Sequence, residues 1–211
     1  MFNEFEFVAV TGLNGAWQSY RVFLAPVNWR FESGDRVEVN VRPTGENLTV
    51  PFEIASGVVI PAGPYNFMRY RLEAGSAAKR KLSGQATWWF GTFYDGRLDQ
   101  ILLTGSWNPS ALFTMSFSGE RDIGRLSEGR FVTTLVGTRA KFNVSPDLQI
   151  SSFVQYDTGS RSVGTNTRLR WTFRPAGDLF VIYNHNLRDI TDRWRFDSNQ
   201  LLVKVQYSFR Y

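Results

Sequence analysis

The feature that most constrains this chain is an alternation of apolar and polar residues that persists to its last position. At the C-terminus, one set of alternate residues is Leu201, Val203, Val205, Tyr207, Phe209 and Tyr211. The intervening set is Leu202, Lys204, Gln206, Ser208 and Arg210. Because side chains of a strand point alternately to opposite faces, a period of two predicts a strand with one apolar and one mostly polar face.

The same alternation recurs along most of the sequence and predicts about twelve strands of roughly 9–13 residues, the length a tilted membrane strand needs. The 211 residues include 18 Phe, 7 Trp and 8 Tyr, which favours strands and interfacial aromatic belts. The mean hydropathy is −0.25, as expected when half of each strand faces water. We therefore predict an all-β fold, an antiparallel transmembrane β-barrel of about 12 strands, with residues 1–211 as one domain.

The predicted connections differ in length. Short turns are expected at 32–35, 108–110, 145–147 and 174–178, and long polar loops at 43–64, 119–129, 157–166 and 187–198. Outer-membrane barrels have short periplasmic turns and long outer loops, so this pattern predicts a periplasmic C-terminus. Two connections, 75–81 and 94–97, do not follow it.

The terminal aromatic residues Tyr207, Phe209 and Tyr211 suggest a bacterial outer-membrane location and a signal for the barrel-assembly machinery. The expected surroundings are outer-membrane lipid and lipopolysaccharide. The first residues enter a strand pattern without a signal peptide, so we expect either a mature protein or the C-terminal piece of a longer one. If the chain closes on itself, the polar face of the last strand should meet Glu4 and Glu6.

Arginine alternates with apolar residues inside the predicted strands, and the net charge is +5. This distribution favours a polar barrel interior over a nucleic-acid-binding patch, and we expect no nucleic-acid partner. The predicted lumen-lining residues are Arg69, Arg71, Glu73, Arg139, Lys141, Arg168, Arg170, Lys204 and Arg210. Such residues either form an ion-pair network with carboxylates such as Glu38 or select anions, and the first interpretation is favoured.

His185 is the sole histidine and the weak catalytic candidate. A barrel phospholipase places a Ser–His–Asn arrangement on its lipid-facing wall, but no serine here lies in a nucleophile motif. An interfacial histidine is the favoured interpretation. With no cysteine and one histidine, neither a His/Cys metal site nor a cofactor is expected.

Two further groups of residues suggest ligands. Most tryptophans have lipid-facing parity or lie near strand ends, whereas Trp89 has lumen parity and is a candidate for sugar stacking. The 187–198 segment alternates Arg and Asp, which suggests a solvated loop that touches lipopolysaccharide phosphates.

Three stretches carry a family resemblance. They are 52–65 with Arg69-Tyr70, 154–157 with 166–171, and 177–184. In this order they resemble an uncharacterised family of bacterial outer-membrane proteins, in which a barrel follows a periplasmic domain similar to family-9 carbohydrate-binding modules. The resemblance spans about residues 50 to 211. It implies an outer-membrane location and a periplasmic carbohydrate-binding domain as a partner, and supplies no catalytic residue.

The leading functional hypothesis is a non-enzymatic outer-membrane β-barrel that acts as a narrow pore or a scaffold. The first alternative is a membrane-embedded hydrolase of lipid or glycan, with His185 as its base. The second is a soluble β-barrel or sandwich that binds a ligand.

Overall fold

A computed structural model describes residues 3–209, which fold into strands joined mostly by short turns. The strands among these residues are β1 (Glu4–Thr11), β2 (Trp17–Arg30), β3 (Arg36–Leu48), β4 (Phe52–Ala55), β5 (Val58–Ile60), β6 (Gly63–Gly75), β7 (Leu82–Phe93), β8 (Gly96–Ser110), β9 (Phe113–Leu126), β10 (Gly129–Asn143), β11 (Leu148–Asp157), β12 (Ser162–Arg174), β13 (Gly177–Ile190) and β14 (Arg193–Tyr207). No helix in this part of the chain is long and apolar enough to cross a membrane.

Twelve of these strands form one sheet in the order β1-β2-β3-β6-β7-β8-β9-β10-β11-β12-β13-β14, and β4 and β5 form a separate hairpin. The prediction of an all-β, antiparallel fold with about twelve long strands is confirmed. Within residues 3–209, β1 and β14 are the two ends of this order, and each has one partner there.

The predicted contrast between short turns and long polar loops is wrong. The strands continue through most of 119–129, 157–166 and 187–198, leaving turns of two to four residues at 127–128, 158–161 and 191–192. Likewise, residues 108–110 end β8, and the turn lies at 111–112. Polar residues at these positions keep the extended conformation because they pair with the neighbouring strand, as Asp189 does with Trp194. Connection length therefore does not support a periplasmic C-terminus.

The predicted irregular connection at 43–64 is also wrong in detail. Residues up to Leu48 extend β3, and β4 and β5 form a hairpin around Ser56 and Gly57. Gly57, the second residue of the turn, has a φ of 77°, which glycine adopts without a steric penalty. The prolines at 51 and 61 lie just outside the two short strands, where no ladder hydrogen bond is lost.

Strand β2 contains Pro26 and is irregular beside it. The register between β2 and β3 shifts between Leu24 and Val27. Proline has no N–H to donate to the ladder, so a bulge absorbs it.

The described residues divide into two compact units. The first unit comprises residues 3–78, 84–103 and 120–134, and the second comprises 79–83, 104–119 and 135–209.

Candidate functional site

The polar face of the first unit contains a buried network of charged side chains. Arg69 is fully buried, and Glu38 and Glu73 are nearly so. Arg71 forms ion pairs with both carboxylates, at 3.6 Å for Glu73. Of the predicted lumen residues, Arg69, Arg71 and Glu73 therefore lie on one face, and Glu38 is the carboxylate partner that the sequence suggested.

The network extends through residues that the sequence analysis did not single out. The Arg36 guanidinium lies 2.7 Å from a Glu73 oxygen, and the Thr87 hydroxyl donates to the other oxygen at 3.1 Å. Asn40 is fully buried, donates to Glu38 at 2.8 Å and accepts from Arg71. The sequence contained one signal for this network, since Arg36, Glu38 and Asn40 share strand parity. The register then places them beside Gly75, Glu73 and Arg71.

Arg69 is held differently, since it forms no ion pair among the described residues. Its guanidinium donates to the backbone oxygen of Leu98 and, at 2.9 Å, to the side-chain oxygen of Gln100. It also lies 5.6 Å from the Phe93 ring. The two hydrogen bonds use both terminal nitrogens of the guanidinium, whereas its buried Nε has no hydrogen-bond partner among the described residues.

Trp89 lies on the polar face, as its parity predicted. The Arg42 guanidinium is 4.4 Å from its ring centroid and that of Arg71 is 5.3 Å away. The cation–π contacts use the ring surface on which a sugar would stack, so the geometry does not favour Trp89 as a sugar platform.

The β4–β5 hairpin caps part of the same unit with an apolar cluster. Val58, Ile60 and Leu126 are buried, and Phe93, Tyr94 and Phe131 pack against them. Leu126 and Phe131 share strand parity with the polar face of β9 and β10. The hairpin therefore covers a stretch of this face with hydrophobic contacts.

Tyr94, in the turn before β8, belongs to this cluster. Its hydroxyl donates to Glu46 at 2.6 Å. Burial first, and the neighbouring Glu46 second, raise the pKa of the Tyr94 phenol well above its ordinary value.

The second unit carries the other predicted lumen cations. Arg139 and Lys141 lie on β10, and Arg168 and Arg170 on β12. The strand between them is β11, and its Ser151 is in register with both Lys141 and Arg168. The four cations line a pocket of about 420 Å³, together with Gln149, Ser151, Asn166 and Phe180. We call this the basic pocket.

Three of the four cations of the basic pocket lack a carboxylate partner among the described residues. Within residues 3–209, Arg170 pairs with Asp178 at 3.1 Å, whereas Arg139, Lys141 and Arg168 form no ion pair. Two guanidinium groups instead lie over aromatic rings at 4.7 Å, Arg139 over Phe153 and Arg168 over Phe180. The favoured interpretation of an ion-pair network therefore fits the first unit, and the pocket of the second unit has the chemistry of an anion site.

A second pocket of the same unit, of about 610 Å³, is lined mainly by amides and hydroxyls. Asn166 donates to Asn184, which donates to Gln200 at 3.1 Å across β12, β13 and β14. Asn186 donates to Ser198 at 3.0 Å. Asn166 lines both pockets, so the basic pocket borders a hydrogen-bonding surface made mainly of amides and hydroxyls, with Asp157 among its lining residues.

His185 lies on β13 with the parity of Val181 and Tyr183, as predicted. Its Nδ1 is 2.6 Å from Oδ1 of Asn199, and its ring stacks with Tyr183. The Thr165 hydroxyl donates a hydrogen bond to the backbone oxygen of His185. Among the described residues no serine hydroxyl contacts the imidazole, so the geometry adds no nucleophile to the hydrolase alternative.

The Arg and Asp side chains near 187–198 pair with one another. Arg161 contacts Asp189 and Asp192 at 2.6 Å each, and Arg188 lies 3.8 Å from Asp197. The hydrogen bonds that Arg161 donates, first to Asp192 and second to Asp189, raise the pKa of Arg161. The expected contact with lipopolysaccharide stays a prediction.

The predicted C-terminal signal is partly described. Tyr207 ends β14, and its ring centroid lies 4.9 Å from that of Phe209. Lys204 is exposed on the polar face, in register with Phe180. Arg210 and Tyr211 lie outside the described residues.

The described residues contain no group of three or more His, Asp or Glu side chains arranged to hold a metal ion. Neither the sequence nor this part of the structure points to a cofactor.

Comparison with known proteins gives one structural similarity. No protein-family model matches the sequence, and no curated protein matches it. Among solved structures, the chain is similar to the NanC porin, with a TM-score of 0.40 and 10% identity over 91% of this chain and 94% of the porin. The resemblance of residues 50 to 211 to the uncharacterised outer-membrane family stays a prediction.

Proposed function

We propose that this chain is a non-enzymatic outer-membrane β-barrel protein whose polar face lines a narrow pore. The observation that carries the proposal is the opposite chemistry of the two sheet faces. In the second unit, Ile150, Leu169, Val181 and Val203 form one row across four strands. The next position of each strand carries a residue of the opposite face, such as Arg168 or Lys204.

The apolar face is exposed. Large hydrophobic side chains at 38–67% exposure run along it, for example Ile101, Val136, Trp171 and Leu201. A monomeric soluble domain rarely exposes so continuous an apolar surface, whereas acyl chains solvate it. Pairing between strands also satisfies the backbone groups that lipid cannot.

Several aromatic side chains of the second unit lie near the ends of its strands, as in interfacial belts. The pairs Trp107–Phe113, Trp171–Phe173 and Tyr207–Phe209 lie near the ends that the turns at 111–112 and 175–176 join. Tyr156 and Trp194 lie near the opposite ends, with ring centroids 6.0 Å apart.

The spacing of the two groups comes within about 5 Å of the height of the apolar band of an outer-membrane barrel. On β11, Leu148 is level with Trp171, and Tyr156 marks the opposite group. At about 3.3 Å per residue they are roughly 26 Å apart along the strand, or about 20 Å across a membrane after a tilt of about 40°. The apolar band of an outer-membrane barrel is about 25 Å tall.

Fractionation and conductance test this proposal. We expect the expressed protein in the outer-membrane fraction, extractable with detergent, and discrete conductance steps after reconstitution into planar bilayers. Recovery as a monodisperse soluble protein without detergent would overturn both the membrane location and the pore.

A scaffold is the second candidate, because the apolar hairpin cluster around Ile60 covers part of the polar face. An outer-membrane protein that conducts no ions, and still conducts none after deletion of residues 50–61, would favour the scaffold over the pore.

A further inference from the structure

We propose that the basic pocket is a binding site for a small oxyanion, with phosphate as the class of ligand. The inference deepens the proposed function, on which it rests for access to the polar face. Its basis is the arrangement of Arg139, Lys141 and Arg168 around the hydroxyl of Ser151.

The strand pattern makes the site concave. Neighbouring strands lie about 4.8 Å apart, so side chains on β10 and β12 are separated by about 10 Å across β11. Long cationic side chains on the outer two strands flank the short Ser151 in the middle. The resulting gap is lined by charge on two sides and by a hydroxyl at its floor.

The donors in this gap are available. Among residues 3–209, the Ser151 hydroxyl makes no hydrogen bond, and Arg139, Lys141 and Arg168 make no ion pair. Gln149 donates to Asn143 at 2.9 Å and Asn166 donates to Asn184, which leaves each amide with a second N–H. Arginine presents a planar fork of donors that matches phosphate oxygens, and lysine adds a point charge.

Electrostatics favours an occupant. Within residues 3–209, one acidic side chain pairs with this group of four cations. It is Asp178, which contacts Arg170. Like charges held close together repel even where water reaches them, as it does at the exposed Arg139, Arg168 and Arg170. Phe153 and Phe180 support the Arg139 and Arg168 guanidinium groups, so these charges are positioned rather than free to move apart. A bound oxyanion would relieve the repulsion and satisfy the free donors.

Titration calorimetry with inorganic phosphate tests the site on the full chain in a neutral detergent at low ionic strength. We expect saturable binding that Arg168→Gln weakens by about tenfold or more, since a charge-assisted hydrogen bond is lost. The matched control is Arg174→Gln, which removes an exposed arginine from the same strand but outside the pocket. Its affinity should stay within about twofold of the native value.

A second variant separates a shaped site from diffuse positive charge. Ser151→Leu fills the floor of the pocket without changing the net charge, and we expect it to abolish saturable binding. Retained binding in Ser151→Leu, equal losses in Arg168→Gln and Arg174→Gln, or absence of binding to the folded native protein would each overturn the proposal. The titration uses no membrane, so its result is independent of conductance. A protein that binds phosphate but conducts no ions would refute the proposed pore and still support the binding site.

Discussion

At the scale of single residues, Arg71 shows how charge is accommodated inside this fold. Among the described residues, the Arg71 guanidinium is the cation that pairs with Glu38. Arg71 and Arg36 both pair with Glu73. Both carboxylates are nearly inaccessible to water. A buried charge that loses its partner keeps its desolvation cost, so the network depends on each member.

Replacing Arg71 with alanine should therefore destabilise the protein by about 3–5 kcal/mol, because Glu38 would be left buried and uncompensated. The free energy of unfolding, measured by guanidinium titration in lipid vesicles, checks this. Arg139→Ala is the control: this exposed arginine forms no ion pair within residues 3–209, and its loss should change stability by about 0.5 kcal/mol or less. Similar losses of stability in both variants would show that burial of the ion-pair network does not determine the loss of stability.

Gly91 supplies a backbone conformation that other residues resist. Its φ is 123°, and a Cβ there would lie 2.3 Å from the backbone oxygen of Met68. Gly91→Ala should cost about 1–3 kcal/mol of stability in the same titration. Gly119→Ala, where a Cβ meets nothing within 4 Å, should leave stability unchanged or raise it by about 0.5–1 kcal/mol. A Gly91→Ala protein as stable as Gly119→Ala would contradict this account.

Residue identity predicted the faces of the strands but not the partners of individual charges. Alternation placed Arg69, Arg71 and Glu73 on one face without a structure. Which arginines would be paired depended on the register between strands, and the sequence specifies register weakly. Glu38 and Asn40 meet Arg71 because β3 pairs with β6 across an inserted hairpin, whereas no carboxylate lies opposite Lys141 or Arg168 on β11.

At the scale of elements, long alternating strands were predictable and their ends were not. Turn-forming residues such as Asn108 and Gly119 suggested connections, yet both lie within strands. Ladder pairing with neighbours on both sides outweighs local turn preference. The β4–β5 hairpin was missed because its two strands are short and lie among prolines and glycines, where no long alternating pattern can form.

We expect the β4–β5 hairpin to be held in place by the face that carries Ile60. Ile60→Ala removes a fully buried side chain from the apolar cluster and should weaken hairpin packing by about 2–5 kcal/mol. Faster hydrogen exchange across β4 and β5 is the expected result. Val59 is the matched control, since it lies next to Ile60 on the opposite, exposed face, and Val59→Ala should leave exchange nearly unchanged. Equal acceleration in the two variants would mean that the cluster does not anchor the hairpin.

At the scale of the whole molecule, the two sheet faces need different surroundings. The apolar face offers no hydrogen bonds, and the polar face carries more cations than it pairs in the second unit. The proposed membrane barrel supplies lipid to one face and water to the other, and so accounts for the exposed Val136 on one face and for the polar residues of the basic pocket on the other. The pattern in the sequence predicted this division, while the basic pocket required the register around Ser151.

The proposed membrane barrel predicts that charge is tolerated on one face of β10 and not on the other. Val136 is exposed on the apolar face and Thr133 lies on the polar face of the same strand. Val136→Arg should cost about 2–4 kcal/mol if its position is near the bilayer midplane, because lipid does not solvate the guanidinium. Thr133→Arg adds the same charge to the polar face and should assemble like the native protein. The measurement is the fraction of purified protein that migrates as a compact, heat-sensitive band in unheated SDS gels, where folded outer-membrane barrels resist unfolding. A large loss of that band for Val136→Arg alone supports a lipid-facing surface, and equal behaviour of the two variants would place the apolar face outside a bilayer.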